Sequence, residues 1–120
     1  MNKTTEKVAD LIYLSTTMGG NKRLVKEIID VFLKQAPEEI SSLKGGINSR
    51  NHSMIKNSAH AMRSSASIMG ISSAVSLLQQ IKELAQSGEP IDDIREISDK
   101  VTKIIEQAVV EITAARAEYV

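Results

Sequence analysis

The segment NSAHAMRSSASIMG, residues 57–70, reads as one amphipathic helix stopped by a glycine. Ile55, Ala59, Met62, Ala66 and Met69 recur at steps of four and three, which defines a single core-facing stripe. At about 100° per residue, His60 points roughly 130–140° away from the centre of that stripe and is expected at the surface. Lys56, Arg63 and Ser67 fall on the same side as His60, the first two about one turn away on either side of it, and Ser64 lies close by. The spacing predicts a helix over roughly residues 52–69, ended by Gly70.

The flanking segments carry the same period. Upstream, Val8, Leu11, Ile12 and Leu14 mark a short first helix that ends at Met18-Gly19-Gly20. Asn21 is placed to cap a second helix with Val25, Ile28, Ile29, Phe32 and Ala36 inward. Pro37, followed by Glu38 and Glu39, reads as the start of a third, with Ile40, Leu43 and Ile47 inside. Gly45-Gly46 weakens that segment by about 1 kcal/mol per Gly relative to Ala. Without a following Lys-Ser/Thr the pair is no phosphate loop, and fraying or close helix approach is the reading. Downstream, Ser72 or Ser73 is expected to cap a helix with Val75, Leu78, Ile81 and Leu84 or Ala85 inward, stopped by Ser87-Gly88. Pro90 opens the last helix, with Asp92 and Asp93 in its first turn and a stripe of Ile94, Ile97, Val101, Ile104, Ala108, Ile112 and Ala115.

Nothing alternates like a strand, and short connections make neighbouring helices antiparallel. The expected architecture is all-α, an antiparallel four-helix bundle with a short N-terminal helix capping it. No repeat or linker breaks the 120 residues, so residues 1–120 read as one domain, with Met1 as a natural start. Hydrophobic residues are 42% of the chain and aromatics only 2%, so the core must be aliphatic.

Charge and composition narrow the function. Lys plus Arg and Asp plus Glu are 15 each, a formal net charge of zero, which argues against a nucleic-acid binder held by phosphate contacts. The absence of cysteine removes thiol chemistry and Cys-ligated metal sites. MNKTTEKVAD, residues 1–10, lacks the apolar stretch of a signal peptide, and a cytoplasmic location is expected. A metal-dependent bundle enzyme needs inward Glu-x-x-His pairs, and the sequence has none. His60 between basic and small neighbours suits an exposed nucleophile. Imidazole is nucleophilic when neutral and ordinarily titrates near pH 6.5. Basic neighbours can pair with a phosphoryl group placed on it. Ala59, Ala61 and Ala66 leave room for another protein to approach.

HAMRSSASIMG, residues 60–70, resembles the signature of histidine-containing phosphotransfer (HPt) domains. That signature reads His, any residue, an apolar residue, Lys, a small residue, Ser, a small residue, then apolar positions and Gly. FLKQAPEEISSL, residues 32–43, and ELAQSG, residues 83–88, are similar to two further helix segments of the family, so the resemblance covers essentially the whole chain. It implies that His60 is the phosphorylated residue and that Arg63, with Lys56, stabilises the phosphoryl group. Docking of the partner would involve Asn57, Ser64, Ser67 and Gly70. The implied partners are response-regulator receiver domains and a hybrid sensor histidine kinase, acting on a monomer. Any magnesium and carboxylates belong to the receiver, so no cofactor and no metal site are expected, and the chain is a phosphocarrier, not an enzyme.

Three departures accompany the resemblance. Arg63 replaces the usual Lys, and Ser64 stands where Gly is common. Family members often place Gln or Glu on the next helix to accept from the histidine Nδ1–H. Here that position is Lys82, which cannot accept, and Gln79, one turn earlier, is the alternative acceptor. His52 lies outside the signature and reads as a surface or capping residue. The rival reading is an HPt-like adaptor that binds receivers without phosphotransfer.

Overall fold

In the computed structural model, which describes residues 7–119, five α-helices and a terminal 3₁₀ turn form a helical bundle around an aliphatic core. Helix α1 spans Leu11–Thr17, α2 Lys22–Asn48, α3 His52–Ile68, α4 Ser72–Gln86 and α5 Ile91–Ala115. Arg116–Tyr119 forms the 3₁₀ turn. The four long helices pack in sequence order around the core: α3 lies between α2 and α4, and α5 closes the ring against both α2 and α4. The α1 segment caps one end. Residues 1–6 of the polar N-terminal segment lie outside the described residues.

The sequence reading placed a helix start at Pro37, and the structure overturns it: α2 runs unbroken for 27 residues with Pro37 inside. Proline within a helix removes one hydrogen bond and costs about 3 kcal/mol. Pro37 is exposed, so its ring meets solvent and not the core. Val25, Ile29, Phe32, Ala36, Leu43 and Ile47 are buried on one continuous face across it. Burying such side chains is worth about 1.5–3 kcal/mol each, which outweighs the defect.

The caps show the local logic. Asp10, Asn21 and Asn51 each accept a backbone N–H from the first turn of α1, α2 and α3. At α4 the expected serine cap does not form. Ile71 occupies the cap position without a side-chain bond, and Ser72 and Ser73 lie inside the helix. Ile71 is fully buried, so core packing and not capping sets this boundary. Pro90 stands at the cap of α5, one place before the first helical residue.

The stripe of α5 is also corrected, and the burial within α1 is narrow. In α1 only Leu14 is fully buried, while Ile12 is 81% exposed. In α5 the buried line includes Ser98, Thr102 and Ile105, with Ile97 and Ile104 on its flank. The Thr102 hydroxyl has no hydrogen-bond partner among the described residues.

Two glycines fix how α3 is held. A Cβ on Gly46 would meet Ile55 Cγ1 at 3.1 Å and Ile55 N at 3.2 Å, so glycine lets α2 and α3 approach closely. Gly70 has φ +68°, and a Cβ there would stand 2.7 Å from Asp10 Cβ. The turn after α3 therefore needs glycine both for its backbone and for the seating of the N-terminal segment.

Candidate functional site

Helix α3 is anchored at both ends. Its first residue, His52, has Nε2 2.8 Å from the Glu89 carbonyl oxygen, tying it to the α4–α5 connection. At the other end the Asp10 N–H donates to the Met69 carbonyl at 3.2 Å. Between them Ile55, Ala59, Met62 and Ala66, with Met69 just beyond, are buried. That burial fixes the helix rotation and leaves the opposite face outward.

His60 lies on that outward face and is exposed. Around it the helix presents Asn57, Ser64 and Ser67, all exposed, with Lys56 and Arg63 half-buried. Ser64 Oγ donates back to the His60 carbonyl at 3.3 Å, so it serves the helix backbone and not the ring. No hydrogen bond engages the His60 ring among the described residues, and no carboxylate pairs with Lys56, Arg63 or Lys82.

Helix α4 supplies the second wall. Val75 shares a groove with Arg63, Ser64, Ser67 and Ile68. Because α3 and α4 run antiparallel from the turn at Gly70, equal rise along both places Gln79 near Arg63 and Lys82 about level with His60. Gln79 and Lys82 are half-buried. The Gln79 amide Nε2 donates to Glu83 Oε2 at 2.9 Å, along α4 and not across to α3.

The groove between α3 and α4 continues past Ser67 and Val75 to Gly70, Asp10 and Tyr13. Its rim is apolar: Ile68 is 50% exposed and Tyr13 51%. Sequence periodicity did not single out Tyr13, because a short capping helix leaves no stripe long enough to phase. Ile68 was legible only as an apolar position of a motif.

The other flank of His60 is acidic. Gln35, Glu38, Glu39 and Ser42 of α2 line a groove with Asn57, Ser58 and Ala61. Burial pushes the Glu39 carboxyl above its ordinary range, and the neighbouring Glu38 charge adds to this, while a hydrogen bond from the Ser65 hydroxyl at 3.0 Å opposes it. The sequence reading missed this wall, since it lies on another helix. Among the described residues no group of three His, Asp or Glu side chains is placed to hold a metal ion. Nor is any helix there long and apolar enough to cross a membrane.

Compared with families of known proteins, the chain matches the Hpt domain over residues 27–115, about three quarters of its length. Compared with curated proteins and with solved structures, it matches none. The matched stretch takes in most of α2 and all of α3, α4 and α5, and so includes both walls around His60.

Proposed function

This chain belongs to the Hpt domain family, whose members are phosphocarrier modules of two-component phosphorelays, and we propose that its phosphorylated residue is His60. On this reading the whole chain is one such domain. A receiver domain bearing a phosphoaspartate docks on the α3 face, and the His60 Nε2 attacks phosphorus in line. The reverse step delivers the phosphoryl group to a second receiver aspartate. A hybrid sensor kinase supplies the first receiver, the carrier works as a monomer in the cytoplasm, and it needs no ATP site of its own.

The single observation that carries the reading is an exposed imidazole flanked by half-buried cations that have no carboxylate partners among the described residues. Elsewhere in the molecule Arg23, Lys26, Arg95 and Arg116 find acidic partners. An unpaired basic cluster beside a nucleophile suits an incoming dianion. Asn57, Ser64 and Ser67 leave the approach to the ring low, and the groove from Ser67 past Gly70 offers the apolar rim on which a partner can seat. The adaptor alternative gives no reason for that basic cluster to surround an exposed imidazole.

The test is direct. Incubation with a phosphorylated receiver domain is expected to give acid-labile, alkali-stable phosphate on this chain. The His60→Gln variant is expected to give none. Undiminished labelling of that variant would refute the assignment of His60.

A further inference from the structure

The basic residues on the His60 side of α3 and on α4 lack acidic neighbours in sequence as well as acidic partners among the described residues. Three other cations of the bundle pair at helical spacing, Arg23 with Glu27, Lys26 with Asp30 and Arg95 with Asp92, while Lys22, Lys44 and Arg50, on other parts of the surface, also lack an acidic residue at that spacing. Lys56, Arg63 and Lys82 have no acidic residue three or four positions away in either direction. Helix α3 contains no Asp or Glu at all, alone among the four long helices. The one carboxylate adjacent in sequence, Glu83, is exposed and accepts from Gln79. In a chain of zero formal net charge, three cations on the α3–α4 side of the bundle thus have no carboxylate partner among the described residues. All three are half-buried, where screening by salt is weaker than for a free surface charge.

Resting on the phosphocarrier reading of His60, we propose that Lys82 is the third phosphoryl contact and biases the phosphoryl group toward this carrier over its partner receiver. In the forward step the receiver's aspartyl O–P bond breaks as the Nε2–P bond forms, and the aspartate leaves as a carboxylate. The ring, cationic as formed, then releases its Nδ1 proton to solvent. A dianionic phosphoryl group on a neutral imidazole remains. Arg63 offers that group a planar fork, and Lys56 and Lys82 offer point charges from either side of the α3–α4 groove. A neutral amide at position 82 would accept from Nδ1 but add no charge. The lysine supplies attraction to the dianion in its place, and it acts on the phosphorylated state alone.

The test loads the full chain with phosphoramidate, which releases ammonia as it phosphorylates histidine, and follows the product by ³¹P NMR. In the Lys82→Gln variant the phosphoryl group's second ionisation is expected to move to higher pH. When the loaded protein is mixed with a receiver domain, the equilibrium ratio of phosphorylated carrier to phosphorylated receiver is expected to fall about fivefold at low salt, the scale of one partly exposed charge contact. The gap should narrow as salt is added, and Lys82→Arg should restore both readouts. Equal ionisation and equal partition in the wild type and Lys82→Gln, with His60 labelled in each, would overturn the role of Lys82 while leaving the carrier reading intact. Failure to label His60 in the wild type would overturn both.

Discussion

Arg63 stands where HPt domains usually have lysine, and the exchange keeps charge while changing shape. A guanidinium presents a rigid fork of donors, whereas an ammonium is a mobile point charge. Arg63 is half-buried and lines the groove with Ser67 and Val75, one turn along α3 from His60. Arg63→Ala is expected to slow phosphotransfer about tenfold, the effect of one charge-assisted contact, and to leave the helix content by circular dichroism unchanged. Arg63→Lys should recover most of the rate. Transfer by Arg63→Ala at the wild-type rate would remove this residue from the site. Gln79 illustrates the limit of reading one helix at a time. Its amide nitrogen is committed to Glu83, which leaves its carbonyl oxygen as the remaining acceptor near Arg63.

At the scale of elements, α2 is the instructive case. The apolar positions Phe32, Ala36, Ile40, Leu43 and Ile47 keep one phase through Pro37, and that unbroken phase was the signal for a single helix. Proline is a strong local marker of a helix start, and here it competes with that phase. Pro37→Ala is expected to stabilise the protein by about 1–2 kcal/mol, less than the full penalty for proline because the unfolded chain gains freedom. Chemical denaturation measures this, and a destabilised variant would show that the ring makes contacts its exposure does not reveal. The side of α3 on which His60 stands could be read from the same kind of phase. What stood across from it could not, because register between two helices depends on close approaches such as Gly46 on Ile55. The burial of Ser98 and Thr102 is not legible in hydropathy for a related reason. Hydropathy marks them as polar, but they are small enough to sit inside an aliphatic core.

Across the whole molecule, carboxylates clamp the chain ends to the bundle, well along the chain from His60. The Glu111 carboxylate accepts the Val8 and Ala9 N–H groups at 3.0–3.1 Å. Burial pushes that carboxyl up, but these donors, Gln107 and the nearby Lys7 charge together hold it below its ordinary value. Asp30 of α2 receives hydrogen bonds from Arg116 and Lys26, which lower its pKa from 3.8 to about 2. A depressed folded-state pKa means that this stabilisation is fully present above pH 3.8 and is lost as the pH falls toward 2. Glu39, on the same helix, has the opposite sign. Its raised pKa makes the ionised form a burden on the fold, absent below its ordinary value of 4.5 and growing as the pH rises. Asp30→Asn should therefore lower the melting temperature at pH 7, and Glu39→Gln should raise it, since an amide keeps an acceptor for Ser65 without the buried charge. Both differences should shrink on acidification, that of Glu39→Gln disappearing first, once the native carboxyl is protonated, and that of Asp30→Asn persisting until the pH approaches 2. Thermal melts of the three proteins from pH 7 to pH 2 make the comparison. Shifts of the same sign at pH 7 would mean that burial does not govern Glu39, or that Arg116 does not hold Asp30.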